Sequence, residues 1–320
     1  MKRLPLLSLL ACAAALAMAG CGKEPSTAPG TSANDANSQT FGTMMDQEPA
    51  LSEGNTYESP GQGDFSTASG GLSTDAFSTQ DAIHPVFYFR VIRDRSRTLD
   101  IHVEEDSNKV RATVNVLEHF AGSFNIVVAD TTDSGVVRRV IKKPLQDDGR
   151  FRAVFVRFKS PSPDDADAPD MPMLSMSDWG RWRLAAISSH QIHSPENTAQ
   201  ILSVRLQTAS GFDTTLDDPT QLFRFPRGLI RIGANEKVTI TVKTADPTNA
   251  VFILAGWGHM RLQPSTDGFT GSFRAPYELR LFRIGVNALT HGTLFDDQAP
   301  YDSDFWGIPA RTVPPLTASH

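Results

Sequence analysis

With two cysteines in 320 residues, the chain has little from which a disulfide framework or a thiol enzyme could be built. Cys12 lies inside an apolar leader and Cys21 directly after it, so neither belongs to the body of the protein. An excess of one charge is missing as well. The net charge of -6 resides in residues 21–80, which hold one lysine against eight acids; residues 81–210 carry 17 of each sign, and 211–320 carry 10 basic against 11 acidic. A near-neutral body lacks the basic excess that nucleic acid or an anionic membrane surface selects, so no nucleic-acid partner is expected. No segment of the mature chain keeps an amphipathic helical period for more than three turns, and there is no G-x-S-x-G, no H-E-x-x-H and no glycine-rich phosphate loop.

What is present begins with the leader. Met1-Lys2-Arg3 is basic, Leu4 to Ala19 is apolar apart from Pro5 and Ser8, and the chain turns polar at Lys23. This is the layout of a secretory signal peptide, shorter than the roughly 20 apolar residues of a spanning helix. Met18-Ala19-Gly20-Cys21 resembles the lipobox of bacterial lipoproteins, with Met18 where leucine is usual. The resemblance covers the first 21 residues. It implies a lipoprotein signal peptide at 1–20, acylation of Cys21 as the mature N-terminus, and attachment through chains that contribute about 0.8 kcal/mol per buried methylene. It also implies the outer membrane or cell surface, since Gly22 stands where an aspartate would retain the protein at an inner membrane. Cleavage by an ordinary signal peptidase is the competing reading.

Residues 21–80 are rich in Ser, Thr, Gly, Asn and Asp without any period, which predicts a disordered acidic tether with a typical end-to-end distance of roughly 40–45 Å. Beyond 80 the period is two. Leu99, Ile101 and Val103 alternate with Asp100, His102 and Glu104; Val110, Ala112, Val114 and Val116 alternate with Arg111, Thr113 and Asn115. GSFNIVV, FRAVFVRF, RWRLAAIS, AQILSVRL, KVTITVK, AVFILA and LRLFRIGVNAL continue the series, with turns expected at Asp133-Ser134-Gly135 and Asp148-Gly149. The expected fold class is all-β, as two antiparallel β-sandwich domains at 81–210 and 211–320, the break falling in GFDTTLDDP.

From KVTITVK through STDGFTGSFRAP to the long apolar strand after it, the chain resembles the second half of an immunoglobulin-like domain of the bacterial surface type, over about 80 residues. That likeness implies a fold and no activity. A weak internal echo sets Asp-Gly before an aromatic strand at 147–155 and again at 266–273. For residues 81–210 a curved-sheet α+β cone competes with the sandwich.

Few residues suggest chemistry. His190 and His193 have the spacing of two ligands on a helix, but their flanks read as a strand end, where residues three apart face opposite ways, and a solvated loop is expected. His84 and His102 read as surface residues. Trp257 and His259, in GWGHM, form a candidate sugar- or peptide-binding pair, against the reading of Trp257 as a lid over one end of a core. Asp296, Asp297, Asp302 and Asp304 share one loop and are the candidate ligands for calcium, against a solvated loop pinned by Tyr301, Phe305 and Trp306. The Asp- and Pro-rich segment 160–172 reads as exposed.

The sequence thus predicts a lipid-anchored envelope or cell-surface protein acting as a non-catalytic binding, scaffold or structural module, with an envelope protein or glycan as partner and no cofactor beyond the candidate calcium. Two readings compete with it: a hydrolase with its site at the domain junction near His190, His193 and the 296–304 loop, and a calcium-stabilised adhesin.

Overall fold

The computed structural model describes residues 33–47, 57, 83–132, 135–159, 180–255 and 258–314. Cys21, Trp257 and segment 160–172 lie outside them. The described chain is all-β, with two sheets and two short helices.

Three long strands open the body: β1 (Pro85–Glu105), β2 (Lys109–Thr132) and β3 (Gly135–Phe158), paired as an antiparallel meander. With 24 residues, β2 spans roughly 80 Å at about 3.3 Å per residue. β2 keeps one register against β3 throughout, whereas β1 bulges between Ile92 and Asp94, opposite Gly122. After β4 (Arg183–Ser188) comes β5 (His190–His193), four residues hydrogen-bonded on both sides.

The rest of the chain forms a sandwich. One layer is a five-stranded sheet in the order β13 (Gln263–Ser265), β14 (Gly268–Arg274), β10 (Lys237–Thr244), β6 (Ile201–Thr208), β7 (Asp213–Leu216). The facing layer holds β12 (Gly258–Arg261), β11 (Ala250–Ala255), β15 (Leu281–Leu289) and β16 (Ser303–Val313), the last pairing in parallel with β9 (Ile230–Gly233). β8 (Leu222–Arg224) pairs with β4. Because β5 pairs with both β3 and β16, the meander and this facing layer form one eleven-stranded sheet.

The two apolar cores explain the layering. Phe282, Ile284, Val286 and Ala288 of β15, with Trp306 and Ile308 of β16, pack towards Val204, Leu206, Val238, Ile240 and Val242 of the five-stranded sheet. Phe252, Leu254, Leu289 and Phe305 pack the other way, against Tyr88, Phe120, Phe124, Ile126 and Leu145 of the meander. The meander therefore folds over the back of the sandwich, and β15 and β16 are buried on both faces. This is why LFRIGVNAL reads as a nearly continuous apolar run rather than an alternating one.

Three expectations change. Part of the predicted tether is ordered: α1 (Ala33–Gln47) buries Phe41 and Met45, Phe41 meeting Phe155 and Trp182 at ring distances of 5.2 and 5.0 Å, while Asp46 pairs with Arg97 at 2.8 Å. Residues 41, 44 and 45 form a one-turn apolar patch too short to show as a period. The sheets do not divide near residue 210: β6 and β7 pair in the same sheet as β10, and β5 pairs with β16. Asp148-Gly149 is not a turn, since β3 runs straight through it; the likeness of 147–155 to 266–273 is one of sequence, and only Asp267-Gly268 turns, with φ +123° at Gly268.

Candidate functional site

The residues able to do acid–base chemistry gather where the meander is spliced to the sandwich. Register places them there: β5 sets His193 opposite Asp304 on one side and opposite Asp148 on the other. Alternation along β5 then sends His190 and Ile192 to one face and Gln191 and His193 to the other.

On the meander face, Glu118 lies in phase with the apolar row Val110 to Val116 and with Phe120, and is buried with them. Its carboxylate meets His190 Nε2 at 3.0 Å, Arg95 at 2.8 Å and Arg97 at 3.1 Å. Burial alone would raise its pKa; the bonds from His190 and Arg95 outweigh it and hold Glu118 well below the usual carboxylate range. Burial lowers the pKa of His190, with Glu118 opposing. Gly149 leaves room for the pair: a Cβ there would lie 3.0 Å from Phe120 and 3.1 Å from His190 Nε2.

The second group on this face centres on Arg90. Its guanidinium donates to Asn287 Oδ1 at 3.0 Å and Tyr301 Oη at 3.2 Å, and lies 4.3 Å from the ring centre of Tyr57. The hydroxyls of Tyr301, at 2.7 Å, and of Tyr57 both donate to Asp147 Oδ2. Asn287 donates in turn to Tyr88 Oη at 2.9 Å. Arg90 and Asp147 thus balance each other through two phenols, all of them buried. Burial raises the pKa of Asp147, and the charge of Arg90 opposes that rise.

On the opposite face Asp304 accepts from Ile201 N at 2.8 Å and from Gln191, which Arg150 also holds at 2.8 and 3.0 Å. Burial raises its pKa to about 6. Asp302 accepts from the hydroxyls of Ser194 and Thr198 and from Thr198 N at 3.1 Å. Asp296 accepts from Gln298 N at 2.8 Å, and its carbonyl takes a bond from Lys143 at 2.6 Å just past α2 (His291–Phe295). The loop therefore does not gather the four aspartates: Asp302 and Asp304 are turned into separate hydrogen-bond sets, and Asp297 joins neither. Among the described residues no cluster of three or more His, Cys, Asp or Glu side chains is placed to hold a metal ion.

The predicted residues fare unevenly. His190 and His193 fall on a buried strand instead of the expected loop, because β5 is inserted between two longer strands. His259 is placed in β12 by its backbone. Exposed His102 lies 3.5 Å from Glu104. Sequence reading passed over Arg90, Glu118 and Asp147; for Glu118 the available signal was a charge in the buried phase of the alternating run from Val110 to Phe120.

A separate, open feature lies on the outer face of the five-stranded sheet. Ser203, Arg205 and Gln207 of β6, Asp213 and Thr215 of β7, and Thr241 and Lys243 of β10 line a polar groove of about 590 Å³. Asp213 holds Arg205 in a two-point ion pair at 2.9 and 2.6 Å and Gln207 at 3.1 Å.

The fold and its two polar features define an all-β protein of two sheets. Comparison with protein-family models, curated proteins and solved structures finds no match.

Proposed function

We propose that this is a lipid-anchored, non-catalytic module of the bacterial envelope, held by Cys21 and presenting the polar groove to a glycan. The observation that carries the non-catalytic reading is the placement of the acid–base groups: Glu118, His190, Asp147 and Asp304 are buried, with Glu118 held by Arg95 and Arg97, Asp147 by two tyrosine hydroxyls and Asp304 by Ile201 N and Gln191, whereas the open groove is lined by hydroxyls and by planar groups already oriented by pairing. Such a lining supplies directional bonds to a polyhydroxylated ligand. The positive Arg205 and Lys243 offset the negative Asp213 and Asp267 along the same groove, which disfavours selection by charge alone.

The immunoglobulin-like reading is part of this proposal. It is supported by strand order: β6-β10-β14-β13 in one layer and β9-β16-β15-β11-β12 in the other repeat the A-B-E-D and A′-G-F-C-C′ pattern of that fold, including a parallel edge pair.

Three measurements test the proposal. Mass spectrometry of the mature N-terminus is expected to find Cys21 acylated, and Cys21→Ala to move the protein from the membrane to the soluble fraction; an unmodified Cys21 removes the anchor. Purified peptidoglycan sacculi are expected to co-sediment with the wild-type protein and less with Arg205→Ala combined with Lys243→Ala. Sedimentation indifferent to those substitutions rejects the groove.

A further inference from the structure

We propose that the seam contains a receptor pocket for a tyrosine side chain and that Tyr57 is its intramolecular ligand. This goes beyond the anchored-module reading and does not depend on it. Four strands converge on a side chain that none of them carries. Arg90 of β1 covers the ring face at 4.3 Å; Phe120 of β2 and Phe305 of β16 approach at 5.4 and 5.5 Å between ring centres; Asp147 of β3 accepts the phenol hydroxyl. The ring is 2% exposed. The other residues of this core come from strands, from α2 or from their immediate flanks; Tyr57 comes from a Gly-, Ser- and Thr-rich stretch with neither helical nor strand period.

Each wall recognises one part of a phenol. A guanidinium attracts the ring face, aromatic neighbours at these distances favour a flat ring over an aliphatic side chain, and a buried carboxylate rewards a hydroxyl at the far end. Phenylalanine would leave Asp147 one donor short. The ligand class is accordingly a tyrosine side chain, and Tyr57 occupies the pocket in cis.

The test uses the full chain carrying Tyr57→Ala, with p-cresol as the side chain freed from its backbone and toluene as the probe without a hydroxyl. The expected results are a melting temperature about 10 °C below wild type, recovered by millimolar p-cresol in the variant but not in the wild type, and binding of p-cresol to the variant about tenfold tighter than toluene. An unchanged melting temperature overturns the proposal, since Tyr57 would then occupy nothing. A folded variant that ignores p-cresol, or that binds toluene equally well, overturns it too. If Tyr57→Ala does not fold alone, refolding with p-cresol reads the same pocket: recovery supports it and failure rejects it.

Discussion

Glu118 keeps its charge inside the protein because Arg95 and Arg97 donate to it and His190 lies 3.0 Å away, and this makes it a reporter of pH. Its folded pKa is depressed, so its contribution is present above the ordinary carboxylate range and lost as acid protonates the folded form. Glu118→Gln is expected to lower stability at pH 7 by about 2 kcal/mol, a figure reduced from that of a fully buried pair because Arg95 and Arg97 are about one-third exposed. Urea unfolding should show the gap between variant and wild type narrowing at pH 3. Asp304 has the opposite sign. With a folded pKa raised to about 6 against an ordinary value of 3.8, it stabilises fully below the lower value and loses that contribution as pH rises through the upper. Asp304→Asn should therefore flatten the stability profile between those values, removing a slope worth on the order of 3 kcal/mol. Both residues were open to recognition as charges set in a buried phase; their partners were not, because His190 and Ile201 reach them only through pairing between distant segments.

At the level of elements, glycines separate what the sequence conveyed from what it concealed. Asp267-Gly268 reads as a turn and is one, with a positive φ that only glycine adopts easily. Asp148-Gly149 carries the same letters yet lies within β3, where the absent side chain makes room for Glu118 and His190. Local sequence cannot distinguish these uses, since the second depends on what crosses above the strand. Gly149→Ala should cost about 1–3 kcal/mol by crowding that pair. Gly122→Ala should cost more, on the order of 3 kcal/mol or above, because a Cβ would lie 2.0 Å from Val91 O at the bulge of β1, and backbone cannot turn aside as a side chain can. Chemical denaturation of both variants would rank them, and equal costs would contradict the account of the bulge.

For the molecule as a whole, the strand content was legible and the strand pairing that crosses residue 210 was not. Alternation marked the buried face of β2 and β10, but β15 is buried on both faces, Val103 of β1 is exposed, and β5 is only four residues long, its sequence saying nothing of the two strands it joins. The candidate calcium loop illustrates the same limit: Asp296, Asp302 and Asp304, close in sequence, are turned to different partners once β16 is placed. The melting temperature is accordingly expected to be unmoved by millimolar calcium or by a chelator, and a rise with calcium would restore the adhesin reading.

β16 lies between β5 and β15 and also pairs with β9. During synthesis, then, the long meander leaves the ribosome with its docking surface unfinished and must wait for about 150 further residues, from Phe158 to Val313, before the seam can close. In that interval its apolar side is open to proteases and to other nascent chains, so a holdase travelling with the unfinished polypeptide would protect it most. A chain stopped at residue 300 should be degraded as a whole rather than leave a stable amino-terminal fragment.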